Sequence, residues 1–219
     1  MAEIAGADPR TPSPPSSSGL GTRYRIATPP STTNLSILSV VATVDGTTIS
    51  VDGGADMTID ADEAYVAESA GDISGTLVES TEPVAVFSGH QCSDFKRAFC
   101  DHMVELLPPT DSYGSMFAVV RFANEDTNAA RTKDAFKVIA DVDGTSVSVV
   151  GAVTRTLDAG ESLVIEPYGL DGASILNGGV ITTSQPALVL QFMSTGGYRN
   201  AESTLTAGDP AMALVTPTG

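Results

Sequence analysis

Along most of this chain apolar and polar residues alternate in short runs of about four to eight, the period of two that a half-buried strand requires. The clearest runs are VATVDGTTISV at 41–51 and VIADVDGTSVSV at 138–149. In each, an Asp-Gly pair (Asp45-Gly46 and Asp143-Gly144) separates two alternating segments, which predicts a β-hairpin turn. A second turn is predicted where MTIDADEAYV and RTLDAGESLV break at Asp60 to Glu63 and at Asp158 to Glu161. Pro83 and Pro186 precede four-residue apolar runs and are expected at strand starts, where a missing N–H matters least. No segment has a sustained helical period, and residues 101–107 are expected to form a turn or two of helix at most.

These pairs of segments are copies of one another. Asp45 matches Asp143, Asp60 matches Asp158 and Glu63 matches Glu161, all 98 positions apart. TEPVAVF at 81–87 resembles SQPALVL at 184–190, and LGTRYRIA from Leu20 resembles YGSMFAVV from Tyr113. Four blocks in one order define an internal repeat. The predicted fold is all-β, two tandem β-sandwich-like units of roughly six strands each in meander order, with a larger propeller-like β array as the alternative. Residues 1–18, rich in Pro and Ser, are read as a disordered linker. The first unit is placed at 19–105 and the second at 106–205. Residues 206–219 are read as the start of a truncated third unit, because DPAMALVTPTG resembles the junction at 101–114, and the chain is expected to be part of a longer repeat array.

Charge narrows the function. The net formal charge is −16, from 27 acidic and 11 basic residues. Such a surface repels nucleic-acid backbones and anionic membranes, so neither is an expected partner. No apolar run is long enough to span a bilayer, and Met1 to Ala7 lacks the character of a signal peptide.

The two cysteines, Cys92 and Cys100, read most simply as a disulfide-closed loop, which points to an oxidising compartment. With His90 and His102 they also form the mirror-symmetric pattern H-x-C-x7-C-x-H, a weaker alternative that would suit tetrahedral zinc. Within the loop, Phe95, Lys96, Arg97 and Phe99 are the candidate ligand-binding residues, two aromatics and two cations on an acidic chain. The alternative is that both rings fold back onto the sheet. Tyr198-Arg199 holds the corresponding place in the second unit.

Asp56, Asp60, Asp62 and Glu63 suggest a calcium loop, but they lack EF-hand spacing and Gly160 replaces Asp62 in the second copy. Turn chemistry is the better reading. Ser88 with His90, and Asp101 with His102, are the nearest approaches to catalytic pairs, and neither has an evident orienting third group. No cofactor is expected, and the chain is not expected to be an enzyme.

The block PVAVFSGHQCSDFKRAFCDHMVELLPP at 83–109, with LGTRYRIA and VDGTTISV, resembles the N-terminal domain of the IgGFc-binding protein family over roughly residues 19–219. That resemblance implies a secreted or cell-surface location, adhesion or binding, and a disulfide between the matching cysteines. The functional expectation is a non-catalytic extracellular binding or adhesion module for a protein or glycan ligand. A structural spacer in a larger surface protein is the alternative, and a hydrolase with an unrecognised site comes third.

Overall fold

Alternating apolar runs too short for helices fold into two antiparallel sheets. The structure, a computed structural model, describes residues 19–30, 34–93, 100–120, 122, 134–149, 152–165, 178–193 and 211–218. The first sheet contains β1 (Gly21–Arg25), β2 (Leu35–Ala42), β3 (Thr47–Val51), β4 (Met57–Ile59), β5 (Ala64–Ala70), β6 (Leu77–Ser93) and β7 (Asp101–Leu107). The second contains β8 (Gly114–Val119), β9 (Ala135–Ala140), β10 (Thr145–Val149), β11 (Ala152–Leu157), β12 (Ser162–Ile165), β13 (Gly179–Met193) and β14 (Ala211–Leu214). A short 3-10 turn at Thr110–Ser112 joins them.

Both sheets have one topology. The order is β4-β3-β6-β2-β5 in the first, with β1 and β7 also on β6, and β11-β10-β13-β9-β12 in the second, with β8 and β14 on β13. The registers correspond as well: Thr47 opposes Ile59 as Thr145 opposes Leu157, and Ser50 opposes Glu79 as Ser148 opposes Thr182. The predicted repeat and the two β-sandwich-like units are therefore present, with seven described strands per sheet rather than six.

The long strand organises each unit. Residues 77–80 of β6 pair with β1 and β3, whereas 84–90 pair with β2 and β7, and β1 crosses the change through Gly21 opposite Val84, so one strand serves two groups of neighbours. Pro83 falls where the partners change, and Pro186 does the same in β13. The prolines thus sit inside continuous strands, at the interruption of the ladder, where a residue without N–H loses nothing. Hydroxyls bridge the gap in both copies. The Thr48 N–H donates to Thr81 Oγ1 at 3.0 Å and the Ser146 N–H to Ser184 Oγ at 2.9 Å.

The same strand explains why the Asp-Gly hairpins do not form. Gly46 and Gly144 do take left-handed conformations, with φ of 71° and 72°. However, β2 and β3 lie on opposite flanks of β6 and do not pair, so the Asp-Gly turn is an arch between two strands and the order is not a meander. Residues 101–107 are strand rather than helix, because Met103 and Leu107 are needed beneath β6. The stretch assigned from sequence to the start of a third unit contains β14, which pairs with β13 and fills the place that β7 holds in the first sheet.

The units share a core. The larger buried cluster combines Tyr24, Ile26, Leu38 and Val86 of the first unit with Ile139, Leu188, Leu190 and Phe192 of the second. A smaller cluster around Phe117, Phe136 and Val189 belongs to the second unit alone. At the seam the turns touch. A Cβ on Gly75 (φ 93°) would stand 1.8 Å from the Gly160 carbonyl oxygen.

Two outcomes follow from this packing. Calorimetry should show a single cooperative unfolding transition for the chain, because neither sheet buries its apolar surface alone. Gly75→Ala should cost about 2–4 kcal/mol, combining left-handed strain with a backbone clash, which urea unfolding would measure.

Candidate binding surfaces

The disulfide loop emerges where three strand ends meet. Cys92 at the end of β6 is bonded to Cys100, just before β7, with Cα atoms 4.9 Å apart. The start of β2 is tied to it, since Asn34 Nδ2 donates to the Cys92 carbonyl at 2.9 Å. Gln91 Nε2 donates to Glu68 Oε1 of β5 at 2.7 Å. The loop is therefore anchored at its base by one covalent bond and by side chains from two neighbouring strands. Phe95, Lys96, Arg97 and Phe99 lie outside the described residues, as do Tyr198 and Arg199.

The histidines take different environments. His90 is buried, and its Nδ1 accepts the Cys92 N–H at 3.3 Å. His102 is exposed, with its own N–H bound to the Asp101 carboxylate at 2.8 Å. Both sulfurs are spent on each other, so the zinc alternative has lost the two thiolates it needed. No metal-holding group of three or more His, Cys, Asp or Glu occurs among the described residues. Ser88 is buried too, donating to the Ala27 carbonyl, so Ser88 and His90 share the inner face of β6 rather than a cleft.

The acidic turns are built from their carboxylates. Asp60 Oδ1 accepts the Gly46 N–H at 2.9 Å, Asp45 Oδ1 accepts the Ala61 N–H at 3.0 Å, and Glu63 Oε2 accepts the Asp60 N–H at 2.9 Å. Asp158, Asp143 and Glu161 accept from Gly144, Ala159 and Asp158 in the same way. These oxygens cap two adjacent turns, as the turn reading requires. Asp62 and Gly160 share one left-handed position, with φ of 65° and 83°. Glycine stands at the second because a Cβ there would lie 3.3 Å from both Arg25 Nη1 and the Gly75 oxygen.

Sequence reasoning missed a charged seam between the units. Lys137 is fully buried and its Nζ donates to the Thr28 carbonyl, Asp72 Oδ2 and Ser74 Oγ, at 2.7, 2.7 and 2.9 Å. All three ammonium protons thus have acceptors. Asp141 receives Arg25 Nε at 2.8 Å and also binds Arg23. The Arg25 N–H donates to Tyr113 Oη at 3.2 Å. Burial lowers the Lys137 pKa against the opposing pull of Asp72. Burial would raise that of Asp72, but the Lys137 charge and bonds from Lys137 and Ser74 carry it below its ordinary 3.8. The legible signal was a lone lysine in the apolar run AFKVIA, where the first copy has Ser39. A buried cation there demands a partner across an interface.

Comparison with known proteins agrees with these observations. The family described as IgGFc binding protein matches residues 10–219. The IgGFc-binding protein of Homo sapiens is 32% identical over 124 residues, covering 48% of this chain and 2% of the human protein. The chain therefore spans a small fraction of the length of that relative. No solved structure matches.

The seam can be tested by titration. Asp72, with its folded pKa depressed, contributes stability that is complete above 3.8 and is lost as pH falls through the lower folded value. Melting temperatures of the wild type and Asp72→Asn should therefore differ at neutral pH and converge in acid. Lys137→Met should cost about 1–3 kcal/mol at neutral pH, below the usual figure for a broken buried pair because Asp72 regains some water.

Proposed function

The chain belongs to the IgGFc binding protein family, and we propose that it serves as a non-catalytic binding or adhesion module of a secreted or cell-surface protein, recognising a protein or glycan ligand. The family match across residues 10–219 carries this reading. The disulfide supports an extracellular setting. Among the described residues no helix is long and apolar enough to cross a membrane. The relative's name specifies the Fc region of IgG, which makes Fc the first ligand to try and glycans the second.

We place the contact at the loop between Cys92 and Cys100, with Phe95, Lys96, Arg97 and Phe99 as its anchors. A cross-linked loop has little freedom left to lose on binding. Two cations on a chain of net charge −16 offer an anionic partner a local attraction. Arg97 can hold a carboxylate or sulfate through two parallel hydrogen bonds, which a lysine cannot.

A spacer is the second reading, favoured by the buried seam that fixes one unit against the other. Immobilised Fc, sulfated glycans and mucin-type glycopeptides, presented to the whole chain, separate the two. Binding to one of them that disappears in Phe95→Ala and Arg97→Ala, with melting temperature unchanged, supports the loop. A large fall in melting temperature with binding retained makes the loop structural, and silence across all ligands favours the spacer.

A further inference from the structure

β2 and β9 hold matching places in the two sheets, yet they are buried differently. Along β2 buried residues alternate with half-buried ones, whereas every residue of β9 is buried. The inner faces of both strands line a core. Only the outer faces differ.

In the second unit, one cross-strand row on that outer face runs Val164, Lys137, Leu190 and Leu214. The next contains Ala135, Phe192 and Met212. The apolar members of both rows join the first unit's core cluster or pack against it. The matching rows of the first unit are Val66, Ser39, Phe87 and Leu106, and then Glu68, Ile37, Gly89 and Val104. Apart from Ser39 and Glu68 these rows are apolar like their counterpart, but the face is open. Val66, Val104 and Leu106 are 58%, 52% and 40% exposed.

What occupies the second unit's face is known from within the chain. It is an edge of the first unit, β1 continuing to Thr28 with the turn at 72–75, together with β7, which lies against β14. The second unit carries its own version of that edge in β8. Met116, Ala118 and Val120 stand there in the places of Arg23, Arg25 and Ala27, in the same register against the long strand. All three are exposed, Met116 at 48% and Val120 at 67%.

The polarity of edge and face changes together. Where the face carries Lys137 and Asp141, the edge that covers it supplies Asp72, Arg23 and Arg25. Where the open face has Ser39 and Thr43 at the corresponding positions, the open edge has Met116 and Ala118. A charged edge meets a charged face inside the molecule. The face that lacks this charge pairing, with Glu68 as the charge on its rows, and the edge of Met116, Ala118 and Val120 are left uncovered among the described residues.

We propose that the open face of the first unit docks a second copy of this chain through that copy's β8 edge, repeating between molecules the seam that joins the units within one. The contact is heterologous, face on one partner and edge on the other, so it does not close on itself and extends head to tail. Its attraction is apolar and opposes the mutual repulsion of two acidic chains, so added salt strengthens it.

Sedimentation velocity on the whole chain, across protein concentrations in low and high salt, is the test. Assembly should grow with concentration, exceed a dimer and increase with salt. Val66→Asp removes the face and Val120→Asp the edge. Both residues are exposed, so melting temperatures should hold, and each variant alone should remain monomeric. Mixed equally, they should form a one-to-one dimer and nothing larger, since each supplies the part the other lacks. A wild type that stays monomeric in concentrated, high-salt solution overturns the proposal. So do variants that assemble like wild type, or a mixture that stays monomeric.

Discussion

The placing of the two units depends on one buried cation. The Lys137 ammonium has no contact with water, and its three protons reach a carbonyl, a hydroxyl and a carboxylate, all from the first unit. A charge in that position is tolerable only when every donor is matched, so small rotations of one sheet against the other are expensive. Around it the apolar outer face of β9 and β13 packs into the first unit's core cluster. The second unit is therefore completed by the first, and the seam is a continuation of the core rather than a contact between finished domains.

The repeat divides into parts that were kept and parts that diverged. Kept are the strand order, the registers, the paired carboxylate-capped turns and the hydroxyls that bridge the proline interruption in each long strand. These are local requirements that each copy must meet for itself. The differences gather where the copies face different neighbours. Ser39 becomes Lys137, Thr43 becomes Asp141 and Asp62 becomes Gly160, all at the seam. The disulfide loop is a divergence of another kind, present in the first copy alone. Its two cysteines lie where the ends of β2, β6 and β7 meet.

This arrangement separates two kinds of surface. The loop between Cys92 and Cys100, closed at its base by the disulfide, is the proposed ligand contact. The open face of the first unit, largely apolar with Glu68 among its residues, is the proposed seat of a second copy.

The sequence by itself determined what depends on neighbours along the chain. Alternation gave the strands, the matching blocks gave the repeat, and the acids of 60–63 and 158–161 were correctly read as turn-formers because Gly160 breaks any shared metal pattern. The cysteine pair was legible for the same reason, being only eight residues apart. Strand partners were not legible. Asp45-Gly46 makes a turn whether its flanking strands pair or diverge, and only the insertion of β6 between them shows that they diverge. Pro83 likewise says that an N–H is missing but not that a strand continues through it. The buried role of Lys137 stayed hidden because its partners lie 65 and 109 residues away, at Asp72 and Thr28. Hydrogen bonds and charges act through space, so which groups meet was decided by the packing of one sheet on the other.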